Sequence, residues 1–149
     1  NGDTMFESAV LQKLIDARFK KPITLVTDTK HEYDDDDMKV ICDGDKLIRV
    51  GKDLSPDKVN GESIGMMAFR GDGPNQFSAK IEHLMRRGHG IRKWYLSAID
   101  ELAQEGRVNT CSIAGLSWCE IDNHADLDRA SAIISAWYPT AGSFASRNR

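Results

Sequence analysis

Short β-rich apolar runs alternate with amphipathic helical stretches along this chain. The pattern predicts an α/β fold: a Rossmann-like, mainly parallel sheet with flanking helices and a β-hairpin insertion. Three observations carry the expectation. A helical stretch, "ESAVLQKLIDARF", runs into a buried-strand pattern, "PITLVTD" from Pro22 to Asp28. An Asp43-Gly44 turn signal separates two strand-like segments, Met38–Cys42 and Lys46–Val50. Two further strand patterns, "VNTCSIAG" and "LSWCEID", lie between helical stretches near the end.

Taken in order, "NGDTMF" reads as a strand end entering a turn. The first helix sets Val10, Leu11, Leu14 and Ile15 on one face. After the Pro22–Asp28 strand, "TKHEYDDDD" is a polar loop, followed by the hairpin and by a strand in "SIGMMAFRG". Two helices are expected over roughly Asn75–Arg87 and Lys93–Gln104, the second stopped by Gly106. A last helix is expected from His124 to about Ala136. Asn123 suits its N-cap, Asp126 the capping-box position, and Leu127, Ala130, Ile133 and Ile134 an apolar face. The stretch 138–149, "PTAGSFASRNR" in its last eleven positions, is small, polar and basic, and is expected to fray.

The 149 residues suffice for one domain with a real core. At 40% hydrophobic and 29% charged the composition is that of a soluble globular protein, and the net charge of -3 argues against a nucleic-acid surface. No apolar run reaches the ~18 residues of a membrane span. Cys42, Cys111 and Cys119 are odd in number and lack paired spacing, which points to reduced thiols and a cytoplasmic setting.

The acids of "WCEIDNHADLDRA" pose the chemical question. Helix capping accounts for Asp126, and Asp128 reads as solvated surface. Strand alternation points Glu120 and Asp122 to one side and Ile121 to the other. Two acids at a strand end repel each other unless a cation or donor lies between them. Ligands of parallel α/β sheets bind beyond such ends. Asp3, at the other chain end, could join them around a hard ion such as Mg²⁺, which takes carboxylate oxygens; its plain alternative is a turn residue after Gly2. The run "YDDDDMK" lacks the glycine and closing glutamate of a calcium loop, and a solvated loop is the better reading. Asp28, Tyr33 or one of Asp34–Asp37 could instead face a cationic substrate group. Lys39 and Lys52 read either as snorkelling surface residues or as point charges for a phosphate. Trp94, Tyr95 and Trp118 could cradle an ammonium through cation–π contact, with packing the alternative. "GDGP" at Gly71–Pro74 is too short for a phosphate loop, and His83 and His89 show no catalytic pattern.

In combination, "NGDT", "ITLVTD", "DDMKVICDGDKLIRVGKDL", "GESIGMMAF", "WYLSAIDELAQEG" and "EIDNHADLDRA" resemble the later part of a nucleotidyltransferase domain. The resemblance covers residues 1–137. It is closest to the small bacterial cytidylyltransferases that activate phosphocholine or aminoalkylphosphonates. It implies that Asp3 and Asp122, with Glu120 as a third carboxylate, bind Mg²⁺. It implies that Lys39 and Lys52 face an acceptor phosphate, and that Ile64 and Gly65 border the acceptor pocket. The implied reaction is attack of an acceptor phosphate or phosphonate oxygen, as in phosphocholine or 2-aminoethylphosphonate, on the α-phosphate of an NTP, expected to be CTP. Pyrophosphate leaves.

The family's opening "LAAGxGxR…PK" segment, which wraps the nucleotide, has no match in this chain. The expectation is therefore the carboxyl-terminal portion of a longer enzyme, with the N-terminal nucleotide-binding part missing. Such a chain would be weakly active or inactive alone, with an open sheet edge and a tendency to self-associate. The rival readings are a sugar-1-phosphate nucleotidyltransferase and a non-catalytic regulatory or assembly module of the same fold.

Overall fold

The computed structural model describes residues 2–18, 20–87 and 94–137. Residues 138–149, and the expected helix start at Lys93 together with His89, lie outside them. Seven strands and four helices follow in the order β1 (Thr4–Phe6), α1 (Ser8–Asp16), β2 (Ile23–Asp28), β3 (Lys39–Asp43), β4 (Lys46–Gly51), β5 (Gly61–Phe69), α2 (Gly73–Arg86), α3 (Leu96–Gln104), β6 (Val108–Ser112), β7 (Trp118–Glu120) and α4 (His124–Trp137) among the described residues. The chain divides into two compact units, Asn1–Gln12 with Gly115–Arg149, and Lys13–Ala114.

In the larger unit the strands close into a barrel in the order β2-β5-β3-β4-β6. Among the described residues of this unit only β2 and β6 run parallel, and the other ladders are antiparallel. The mainly parallel sheet expected from the sequence is therefore replaced by a mixed barrel. The reason lies in the connections. Between β2 and β5 the chain has loops and no helix, so these strands return antiparallel, whereas a parallel neighbour needs a long crossover. The long connection through α2 and α3 carries the chain from β5 to the other side of β2, where β6 lies parallel to β2 and so antiparallel to β5.

The hairpin forms at Gly44, whose φ of 57° is the left-handed value that glycine tolerates without a Cβ penalty. Ile23, Leu25, Val40, Leu47, Val108 and Ile99 fill the barrel core. α3 is fixed to β4 by Asp100, which accepts from Arg49 Nε at 2.9 Å, Arg49 Nη2 at 3.1 Å and the Val50 N–H at 2.8 Å. Its end closes as expected: Gly106 N–H donates to Ala103 O at 2.8 Å and Arg107 N–H to Leu102 O at 2.9 Å. Phe77 of α2 packs on Phe69 of β5 with ring centroids 5.0 Å apart.

The smaller unit contains a two-stranded antiparallel sheet, β1 with β7, in the register Thr4↔Glu120 and Phe6↔Trp118. α4 begins with the expected cap. Asn123 Oδ1 accepts from the Ala125 and Asp126 N–H groups, and Asp126 Oδ2 accepts from the Asp122 and Asn123 N–H groups, both at 3.0 Å. The helix faces are narrower than the periodicity predicts. Val10 and Leu14 are buried on α1 while Leu11 and Ile15 are 45% and 56% exposed, and on α4 Ala130 is buried while Leu127 is 50% exposed.

Candidate functional site

The smaller unit brings the sequence's three metal candidates to one strand end. Ile121 N–H donates to Asp3 O at 2.9 Å, continuing the β1–β7 ladder by one step. The main chain of Asp3 therefore lies opposite the residue between Glu120 and Asp122. Glu120 and Asp122 are exposed while Ile121 is half-buried, as alternation requires; Asp3 is exposed too, but as the residue directly opposite Ile121 it belongs by strand pairing to the Ile121 side of the ladder. The donors are all hard oxygens of the kind Mg²⁺ takes. Their side chains are not gathered in advance, however: among the described residues no group of three His, Cys, Asp or Glu is arranged to hold a metal ion. Asp3 Oδ1 instead accepts from the Thr4 hydroxyl at 3.3 Å.

In the larger unit the substrate candidates separate by environment. Lys39 is neither a snorkelling surface residue nor an open point charge. It is 5% exposed, and its ammonium donates to the carbonyls of Asp34 and of Lys52, the latter at 3.1 Å. Lys52 keeps an accessible head. Its Nζ lies 3.3 Å from Asp36 Oδ1 and 5.2 Å from the ring centroid of Trp94, which is 64% exposed. Lys52 and Trp94, with Met38, Arg49, Leu96 and Ser97, line an open pocket of about 440 Å³. A cation thus does sit over Trp94, and it is the chain's own.

Ile64 is fully buried and Gly65 is half-buried; neither lines that pocket among the residues described there. Gly65 sits where β5 carries extra residues opposite Val26, between the pairs Leu25↔Met67 and Thr27↔Ser63. Its φ of 73° explains the glycine as a bulge requirement rather than as clearance for a ligand. Asp28 ends β2 and accepts from the Thr29 N–H at 2.8 Å, and the Tyr33 hydroxyl accepts from the Lys30 N–H at 3.3 Å.

An ion cluster that the sequence reading missed lies in the same unit. Lys30 Nζ bridges Asp37 Oδ2 at 2.6 Å and Glu62 Oε2 at 3.1 Å, 5.9 Å from the Tyr33 ring centroid. Burial pushes the Glu62 carboxyl above its ordinary value, with Lys30 pulling it down and Asp37 pushing it up again. Burial also opposes charge on Asp37, but bonds from Lys30 and the Asp34 N–H more than offset it and hold this carboxyl low. The signal was present in "GESIG", an acid inside an otherwise apolar strand, where an unpaired charge is costly. The acidic run Asp34–Asp37 is consequently a lysine-tethered loop. Burial pushes the Cys42 thiol up to about 11 and raises those of Cys111 and Cys119, so none is activated as a nucleophile.

The fold, apart from these features, is one that solved structures share. The chain is similar over 91% of its length to the inositol-1-phosphate CTP transferase from T. maritima, with a TM-score of 0.68 and 18% identity. It is also similar, over 89% of its length, to a Bacillus anthracis protein described as a glucose-1-phosphate thymidylyltransferase, solved with sucrose; there the TM-score is 0.63 and the identity 16%. The chain spans about half of each, 53% and 51% respectively. No protein-family model matches the sequence, and no curated protein is significantly similar to it. No helix among the described residues is long and apolar enough to cross a membrane.

Proposed function

We propose that this chain is the acceptor- and metal-binding portion of a Mg²⁺-dependent nucleotidyltransferase, acting with CTP on a small phosphorylated or phosphonylated amine such as phosphocholine or 2-aminoethylphosphonate. The observation that carries the reading is the Ile121-to-Asp3 hydrogen bond. It supports the reading by bringing the main chain of Asp3 to the strand end that carries Glu120 and Asp122, in a fold shared with two nucleotidyltransferases, and Mg²⁺ binding would require the Asp3 side chain to turn toward that pair.

In this reading Asp3 and Asp122, with Glu120, hold Mg²⁺. The ion neutralises phosphate charge where anion must meet anion. In the larger unit, taken by itself, Lys52 binds the acceptor's phosphate; in the proposed reaction an acceptor oxygen attacks the α-phosphorus of the nucleotide as the bond to pyrophosphate breaks. Lys39 acts through Lys52: its ammonium grips the Lys52 carbonyl and fixes the segment that presents the second lysine. The Trp94 ring, with the Lys52 ammonium over it, steadies that lysine for the acceptor's phosphate. Asp28 and Tyr33 stand at the loop end of the same unit as contacts for the acceptor's ammonium group.

A second reading, a sugar-phosphate acceptor, is favoured by the inositol and glucose phosphates named for the two similar structures. Among the described residues lining the 440 Å³ pocket, Asp53 and Ser97 are the groups that would read its hydroxyls, with no Asn or Gln amide beside them. Titration with CTP and with other NTPs, with and without Mg²⁺, followed by phosphocholine and glucose-1-phosphate, separates the cases. Metal-dependent CTP binding with a preference for phosphocholine supports the first reading. A chain indifferent to every nucleotide and to both acceptors is a non-catalytic assembly module.

A further inference from the structure

Resting on the reading of Lys52 as the phosphate-holding lysine, we propose that Asp36 is a displaceable latch on that lysine, occupying its ammonium until an acceptor phosphate takes its place. The acidic loop is built to hold this one carboxylate in position. Asp34 Oδ1 accepts from the N–H groups of Asp36 at 3.0 Å and Asp37 at 3.2 Å, while Asp34's own N–H donates to Asp37 Oδ2 at 2.7 Å. Lys39 grips the Asp34 carbonyl from the β3 side, and Lys30 grips Asp37 at 2.6 Å. The main chain on both sides of Asp36 is therefore tied down through groups other than its own side chain.

Among the described residues, the Asp36 side chain has Lys52 as its partner. It is 100% exposed, against 13% for Asp37, and its oxygen lies 3.3 Å from Lys52 Nζ. The two acids differ in what they can yield. Asp37 shares the half-buried ion cluster with Glu62, where loss of a partner strands a charge. Asp36 makes a solvent-exposed pair, the weakest kind of ion pair, so a phosphate bearing up to two charges can outcompete a single carboxylate there. Lys52 stays oriented during the exchange, because its ammonium also lies over Trp94 and its carbonyl is held by Lys39. The latch gives the pocket a threshold: anions too weak to displace Asp36 do not occupy the lysine.

The test is calorimetric titration of the full chain with inorganic phosphate at fixed ionic strength, in wild type, Asp36→Asn, Asp35→Asn, Lys52→Gln and the Asp36→Asn/Lys52→Gln double variant. Asp35 is exposed in the same loop and carries the same charge, so it controls for the general field. The expected result is tighter binding by about two- to fivefold in Asp36→Asn, the worth of an exposed ion pair. A smaller change is expected in Asp35→Asn, and no gain from Asp36→Asn once Lys52 is Gln. Equal gains in the two Asp variants, or none in Asp36→Asn while Lys52→Gln weakens binding, would overturn the latch and leave the lysine's role standing. Wild-type phosphate binding in Lys52→Gln would remove the role itself.

Discussion

Lys39 shows how burial decides what a lysine does. At 5% exposure its ammonium must find acceptors, and it takes the main-chain carbonyls of Asp34 and Lys52. Lys39→Met keeps the stem but abandons both carbonyls, and is expected to cost about 2 kcal/mol of stability in urea unfolding. Lys30 carries a pH dependence. Burial pulls its pKa down, but the bonds and field of Asp37 and Glu62 more than offset this, so it titrates above the usual lysine range. Its contribution is complete below the ordinary lysine value and is lost as pH climbs through the raised one. Asp37 contributes above the ordinary aspartate value and loses that contribution as pH falls through its depressed one. Glu62 works in the opposite sense: folded, it holds its proton more tightly, so stability declines as pH rises from the ordinary glutamate value through its own. Because Lys30 pulls Glu62 down, Lys30→Met should move the Glu62 carboxyl still higher in an NMR titration. An unmoved titration would separate the two groups.

Among elements, those with local rules were legible. The cap of α4 follows from Asn123 and Asp126 being three residues apart, and the stop of α3 from Gly106, because each is satisfied within a few residues of chain. Asp126→Ala removes the acceptor of two N–H groups and the partner of Arg129, and should cost about 1–2 kcal/mol. Gly106→Ala should cost about 1 kcal/mol. A Cβ there meets nothing within 4 Å, so the loss comes from the φ of 71° alone. Both are read from urea midpoints. Sheet topology was less legible, because pairing joins residues far apart in sequence. "ITLVTD" marked a buried strand correctly, yet nothing within it shows that β5 runs antiparallel beside it and β6 parallel. The width of a helix's apolar face was equally hidden: Leu11 and Val10 look alike in periodicity, and only packing leaves the first in solvent.

For the molecule as a whole, the residue types of the candidate site could be read from the sequence more readily than their states. Asp3, Glu120 and Asp122 stood out as acids at strand ends, and Lys39 and Lys52 as lysines among strand residues. The sequence could not show that Lys39 is consumed by carbonyls or that Lys30 is the partner of Glu62, since both follow from three-dimensional packing. The nucleotidyltransferase account rests on the three acids forming one hard-ion site. Mn²⁺, which shares the preference of Mg²⁺ for oxygen ligands, tests this by paramagnetic broadening of assigned amide NMR signals. The account predicts that signals at residues 2–4 and 119–123 broaden first, and that Asp122→Asn abolishes the effect. Broadening confined to the Asp34–Asp37 loop, or unchanged in Asp122→Asn, would contradict it.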